Sequence, residues 1–156
     1  MACIFQRKEP ASVKARSGAE SPVRAREGQA VKRTILIVDD EIHLTRILEF
    51  TLRQAGYDTL VAHDGREALE KALATAPDLV ILDLTLPVLD GGVVCGEIKR
   101  AAGKRGVPVI ILTARDISSR GRDESIEADL WMEKPFRFEA LLEGIRSLLG
   151  GATPAE

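Results

Sequence analysis

Cysteine is scarce in this chain: there are two in 156 residues, Cys3 and Cys95. Their separation fits neither a metal-ligand set nor a redox pair, which excludes a cysteine metal centre and a thiol–disulfide activity. Both are expected to be reduced thiols, with Cys95 a small packing residue. No apolar run approaches the ~20 residues of a membrane span. The N-terminus lacks the continuous apolar segment of a secretory signal. A cytoplasmic protein that does not enter a membrane is therefore expected. Tryptophan occurs once, as Trp131. What remains is ordinary for a soluble domain: 45% hydrophobic and 29% charged residues. The length suits one domain with a real core, plus a tail.

Charge is unevenly spread. Residues 1–33 carry 8 Lys/Arg against 3 Glu, a balance of 8 − 3 = +5. Residues 34–150 carry 14 Lys/Arg against 20 Asp/Glu, a balance of 14 − 20 = −6. An acidic domain is a poor nucleic-acid binder on its own. The first 33 residues show no sustained period of 2 or 3.6, and Ser, Gly, Pro, Ala and Arg interrupt them throughout, so a disordered basic tail is expected. Val31-Lys32-Arg33-Thr34 leads straight into the first apolar run. A GUG start codon at Val31 is thus an alternative, with residues 1–30 untranslated.

From Thr34 on, strand and helix patterns alternate. Strands are expected at Thr34–Val38, Thr59–Ala62, Leu79–Leu82, Val107–Leu112 and Leu130–Met132. Helices are expected at Glu41–Ala55, Arg66–Ala74, Gly91–Ala102, Ser118–Ile126 and Phe138–Leu149. The first helix places Leu44, Ile47, Leu48, Thr51 and Leu52 on one face. Gly56 stops it, Asp64-Gly65 opens the second, and Gly150-Gly151 ends the last, leaving residues 151–156 as a short C-terminal tail. Five β-α units of this length imply parallel strands and right-handed crossovers. The first, third and fourth strands are continuously apolar, as a sheet covered on both faces requires. No output domain, and so no DNA-binding domain, is expected after the last helix.

The chemistry gathers where the strands end. Ile35–Val38 runs into Asp39-Asp40-Glu41, Leu79–Leu82 into Asp83, Val109–Leu112 into Thr113, and Leu130–Met132 into Glu133-Lys134-Pro135. Open α/β sheets bind ligands at that edge. An acidic pair, a lone Asp, a hydroxyl and a lysine suit a divalent cation and a phosphoryl group. Mg²⁺ is a hard ion that takes carboxylates, carbonyls and water. Asp39, Asp40 and Asp83 can supply carboxylates, and Thr85 its backbone carbonyl. Lys134 brings an ammonium and Thr113 a hydroxyl to phosphoryl oxygens. Any one of these residues alone reads as a cap, a turn former or a surface charge. Four strand ends delivering the set together do not.

Residues 34–150 resemble the receiver domain of the two-component response regulators. The resemblance rests on Ile35-Leu36-Ile37-Val38-Asp39-Asp40-Glu41, Leu82-Asp83-Leu84-Thr85-Leu86-Pro87, Asp90-Gly91, Leu112-Thr113-Ala114-Arg115 and Lys134-Pro135-Phe136, in matching order and spacing. It implies a flavodoxin-like, doubly wound five-stranded sheet of order 2-1-3-4-5 with five helices. It implies that Asp83 accepts a phosphoryl group from a histidine kinase and that Asp39 and Asp40 bind Mg²⁺. It further implies that Thr113 and Lys134 sense and bind the phosphoryl group, and that the Lys134-Pro135 bond is cis. Trp131 stands where the family carries its switch aromatic, usually Tyr or Phe. A downstream protein would dock on the face of the fourth helix, fifth strand and fifth helix. Departures fall mainly between Thr113 and Lys134: Glu127-Ala128-Asp129 replaces the usual Gly-Ala-Asp, and the expected fourth helix contains Gly121 and few apolar residues.

The expectation is a stand-alone, Mg²⁺-dependent response regulator that is not an enzyme, since its catalysis is confined to its own phosphorylation and hydrolysis. Its oligomeric state is left open. One alternative is a phosphorelay intermediate that passes the group from Asp83 to a histidine on a second protein. A phosphatase with an Asp nucleophile would want an acid two residues on, where Thr85 stands. A flavodoxin-like cofactor binder would want a phosphate loop where Asp39-Asp40-Glu41 stands. A pseudo-receiver is disfavoured because every expected site residue is present.

Overall fold

The computed structural model describes residues 32–103, 106–114, 117 and 123–150. The elements are β1 (Thr34–Val38), α1 (Ile42–Gln54), β2 (Asp58–Ala62), α2 (Gly65–Thr75), β3 (Leu79–Asp83), α3 (Gly91–Ala102), β4 (Val109–Thr113), β5 (Leu130–Glu133) and α4 (Phe138–Leu148). All strand pairs are parallel, in the order β2-β1-β3-β4-β5. This is the flavodoxin-like order expected from the sequence. The described residues hold four of the five expected helices.

The period of two along each strand divides the core into two layers. Leu36, Val38, Val80, Leu82, Val109 and Ile111 pack with Ala68 and Ala72 of α2 and Val94, Cys95 and Ile98 of α3. Ile35, Ile37, Leu79, Ile81, Ile110 and Leu112 pack with Leu48 and Leu52 of α1 and Leu141 and Ile145 of α4. Each fully buried Leu or Ile contributes roughly 1.5–3 kcal/mol.

Several boundaries differ from the sequence reading. In α1 the buried face is Thr45, Leu48 and Leu52, while Ile47 is half exposed at 50%. The register 45-48-52 follows the helical stripe. Thr45 can join it because its hydroxyl donates to the Ile42 carbonyl at 2.8 Å. β4 starts at Val109 and not at Val107, since Pro108 has no N–H for the ladder. The tail of the helix expected at Ser118–Ile126 is instead a turn. There Asp123 Oδ1 accepts from the Ser125 amide at 3.0 Å and its hydroxyl at 2.6 Å, the local bonding that competes with helix. Residues 118–122, residues 1–31 of the expected N-terminal tail and the C-terminal tail from residue 151 lie outside the described residues; at the end of the expected tail, the Arg33 carbonyl accepts from the Asp58 amide at 2.9 Å.

Two aspartates clamp strand entries. Asp78 Oδ2 accepts from the Thr34 amide at 2.8 Å, just ahead of β3. Asp129 Oδ2 does the same for Val109 at 2.8 Å, just ahead of β5. Asp129 also meets Lys99 Nζ of α3 at 2.5 Å. These bonds set the register of neighbouring strands, and so which residues arrive together at the opposite edge.

Candidate functional site

That opposite edge brings the strand-end carboxylates together. Asp39 follows β1, Asp83 is the last residue of β3, and Asp40 stands beside Asp39. One carboxylate oxygen from each lies within 4.8 Å of the others. Asp39 and Asp83 are 2% and 7% exposed, so their charges are largely out of water; Asp40 is exposed.

Lys134, just after β5, reaches into this group. Its Nζ donates to Asp39 Oδ2 at 2.6 Å and lies 3.5 Å from Asp83 Oδ2. The Lys134-Pro135 peptide is cis. The Lys134 amide donates to the Thr113 carbonyl at 2.7 Å, which ties the ends of β4 and β5 together. Thr113 itself is buried. Thr113 pairs with Glu133, and Ile111 with Trp131, so these four residues share one face of the sheet. Trp131 is half-buried against the α2–α3 layer. It does not point toward α4, the expected fifth helix; Leu130 and Met132 take that side. Alternation along β5 decides this.

The remaining carboxylate oxygens are held by backbone amides. Glu41 N–H donates to Asp39 Oδ1 at 2.9 Å. Thr85 N–H donates to Asp83 Oδ1 at 3.1 Å. Burial pushes the Asp83 carboxyl above its ordinary range. The Thr85 amide and the Lys134 ammonium pull it back down, while the neighbouring charge of Asp39 pushes it up further. For Lys134, burial alone would lower the pKa; the hydrogen bond and charge of Asp39 and the charge of Asp83 outweigh it, and the net shift is upward.

Among the described residues, three carboxylates against one ammonium leave an excess of two negative charges in a space of a few ångströms. Hard oxygen donors and an uncompensated double charge fit a small divalent cation such as Mg²⁺. Asp39, Asp40 and Asp83 are the residues able to hold it.

Some residues of the site have no signal in the strand-end pattern. Gly91 opens α3 directly under Asp83: a Cβ there would lie 2.4 Å from the Asp83 carbonyl oxygen and 2.6 Å from Leu84 Cα. His63 follows β2 as Asp39 follows β1, and its Nδ1 is 3.1 Å from the Asp39 carbonyl oxygen. The parallel register, with Val38 opposite Ala62, makes the two positions neighbours; the contact itself depends on how the imidazole packs. Glu133 Oε2 accepts from the Ile117 amide, a bond that depends on a loop no local pattern describes.

Residues 35–146 match the response regulator receiver domain. The chain belongs to this family of phosphoacceptor domains of two-component signalling. It is 43% identical over 119 residues to the probable transcriptional regulator ycf27 of Cyanophora paradoxa, covering 76% of this chain and 48% of that protein. The chain thus spans about half the length of the curated relatives it matches. Among solved structures it is similar to the chemotaxis protein CheY4 of Vibrio cholerae, at 30% identity and a TM-score of 0.69, covering 76% of this chain and 99% of that one. It is equally similar to the receiver domain of the sensor histidine kinase PA1611 of Pseudomonas aeruginosa, at 30% identity and a TM-score of 0.69, over 77% and 99% of the two chains; that structure has a magnesium ion coordinated in its active site cleft. Among the described residues no helix is long and apolar enough to cross a membrane.

Proposed function

We propose that Asp83 accepts a phosphoryl group from a phosphohistidine of a histidine kinase, in a Mg²⁺-dependent reaction, and that the modified domain then changes its affinity for a partner protein. The observation that carries this reading is the bridge made by Lys134 between Asp39 and Asp83, within the Asp39–Asp40–Asp83 trio whose carboxylate oxygens lie within 4.8 Å of one another.

In the transfer, an Asp83 oxygen attacks phosphorus, the P–O bond forms as the P–N bond breaks, and the leaving imidazole nitrogen takes up a proton from solvent. A divalent ion held by Asp39, Asp40, Asp83 and the Thr85 carbonyl supplies charge neutralisation for the phosphoryl oxygens. Lys134 donates to one of those oxygens, and the Thr113 hydroxyl is drawn toward another. Water later cleaves the acyl phosphate and restores Asp83. The chain acts on no separate substrate, so we read it as a switch and not as an enzyme. The cytoplasm, where histidine kinases present their phosphohistidine, is the compartment this chemistry requires. We assign the output to docking of a protein partner near β5, since the domain's balance of −6 disfavours direct contact with DNA. On this reading the receiver domain acts through its own surface.

Incubation with acetyl phosphate and Mg²⁺ tests the reading by intact-protein mass spectrometry. One phosphoryl group is expected on the wild type and none on Asp83→Asn. Asp40→Ala or chelation should also prevent labelling. Equal labelling of the Asn variant would overturn the assignment.

A further inference from the structure

Asp39 is held on every side: its amide donates to the Ala62 carbonyl at 3.1 Å, its Oδ1 accepts from Glu41 and its Oδ2 from Lys134. Asp40 is held by much less. It is the exposed member of the acid trio, and among the described residues no hydrogen bond or ion pair fixes its carboxylate. Its position is therefore set by its backbone, above all by the peptide plane it shares with Asp39. The carbonyl of that plane is the group His63 contacts, at 3.1 Å from Nδ1. A carbonyl oxygen can only accept, so Nδ1 carries the proton and donates.

His63 is itself braced. Its amide donates to Glu67 Oε1 at 2.9 Å. Glu67 is paired with Lys71 at 3.0 Å, and the Glu67 amide is held by Asp64 Oδ1 at 2.8 Å. The first turn of α2 thus fixes His63, and His63 fixes the Asp39–Asp40 peptide.

The geometry points to His63 as a positioning residue for the cation site: its Nδ1–H holds the Asp39–Asp40 peptide plane and so presents the Asp40 carboxylate to a divalent ion. It touches neither the ion nor the phosphoryl group. Groups of this kind, one contact removed from a metal, commonly alter affinity 10–100-fold when lost. The inference rests on the cation reading proposed above.

The test uses Mn²⁺ as the probe, because its free-ion paramagnetic resonance signal gives a dissociation constant without any phosphorylation. The full chain is compared with His63→Phe, which keeps ring bulk but has no donor, with His63→Ala, and with His63→Asn. The Asn Nδ2 occupies the place of Nδ1, two bonds from Cβ, and can donate to the same carbonyl. Binding about tenfold weaker in His63→Phe and His63→Ala, restored to within about threefold in His63→Asn, is the expected result. Melting temperatures are read on each variant, and His63→Phe carries the comparison where His63→Ala does not fold. Wild-type affinity in His63→Phe overturns the inference and leaves the cation site intact. Equal weakening in His63→Phe and His63→Asn also overturns it, because the donor would then not be what matters. A wild-type chain that binds no Mn²⁺ removes the cation reading itself, and with it the role of His63.

Discussion

The Lys134 ammonium stands closer to Asp39 than to Asp83, 2.6 Å against 3.5 Å. It is first the counter-ion of Asp39, a buried carboxylate, and only second a neighbour of Asp83. Removing it leaves Asp39 and Asp83 facing each other with little water to screen them. Lys134→Ala should therefore lose about 2 kcal/mol of stability in the presence of chelator. Added Mg²⁺ should recover more stability in the variant than in the wild type, since the ion takes over the neutralisation. Urea unfolding with and without Mg²⁺ measures both. An alanine variant as stable as the wild type in chelator would show that the pair adds nothing to the fold.

Gly91 sits where the chain turns back under Asp83, and its amide donates to the Leu84 carbonyl at 3.0 Å. A methyl group there would collide with backbone, which cannot swing aside as a side chain can. Gly91→Ala should cost about 1–3 kcal/mol and slow labelling by acetyl phosphate, because relief requires moving Asp83 or Leu84. Unchanged unfolding midpoint and labelling rate would show that α3 shifts freely as a unit.

The start of α2 is capped from both sides by Asp64 and Glu67. Asp64→Ala removes an N-cap and should cost about 1 kcal/mol. Glu67 has its pKa lowered, first by the hydrogen bond from the His63 amide and then by Lys71. A carboxyl that ionises more readily in the folded state stabilises the fold above its unfolded pKa, and this is lost as pH falls through its folded pKa. The stability difference between wild type and Glu67→Gln should thus be present at pH 7 and vanish on acidification below the ordinary carboxylate range. A difference independent of pH would mean that the Glu67 charge is irrelevant.

Trp131 shares a sheet face with Thr113 and is half-buried. If Thr113 moves toward the phosphoryl group, the space beside it changes, and the indole is the side chain placed to respond. Beryllofluoride with Mg²⁺, a phosphoryl mimic, should change tryptophan fluorescence or its quenching by acrylamide in the wild type and not in Asp83→Asn. Identical spectra with bound beryllofluoride would place the moving part elsewhere.

The strand ends are legible because parallel βαβ units deliver every strand in the same direction. Asp39, Asp83, Thr113 and Lys134 can be recognised as neighbours from order alone. The stretch after Thr113 is less legible. Asp123 and Ser125 satisfy their own backbone, and such local bonding overrides a weak helical period. The inward face of α1 is misread at Ile47, because residues 100° from the stripe are buried or exposed according to what packs above them.

The residues alone determined the alternation of strand and helix, the direction of the sheet and the chemical types that meet at its edge, since each follows from local hydrophobic period and from chain connectivity. Contacts that depend on register and close approach arise from packing across elements. These are the preference of Lys134 for Asp39, the clamps of Asp78 and Asp129 on neighbouring strands, the fit of Gly91 against the Asp83 carbonyl, the side of the sheet that Trp131 faces, and the reach of His63 to the Asp39–Asp40 peptide. Each involves groups far apart in the chain whose distances are set by packing to a fraction of an ångström, and no pattern within a single element carries that information.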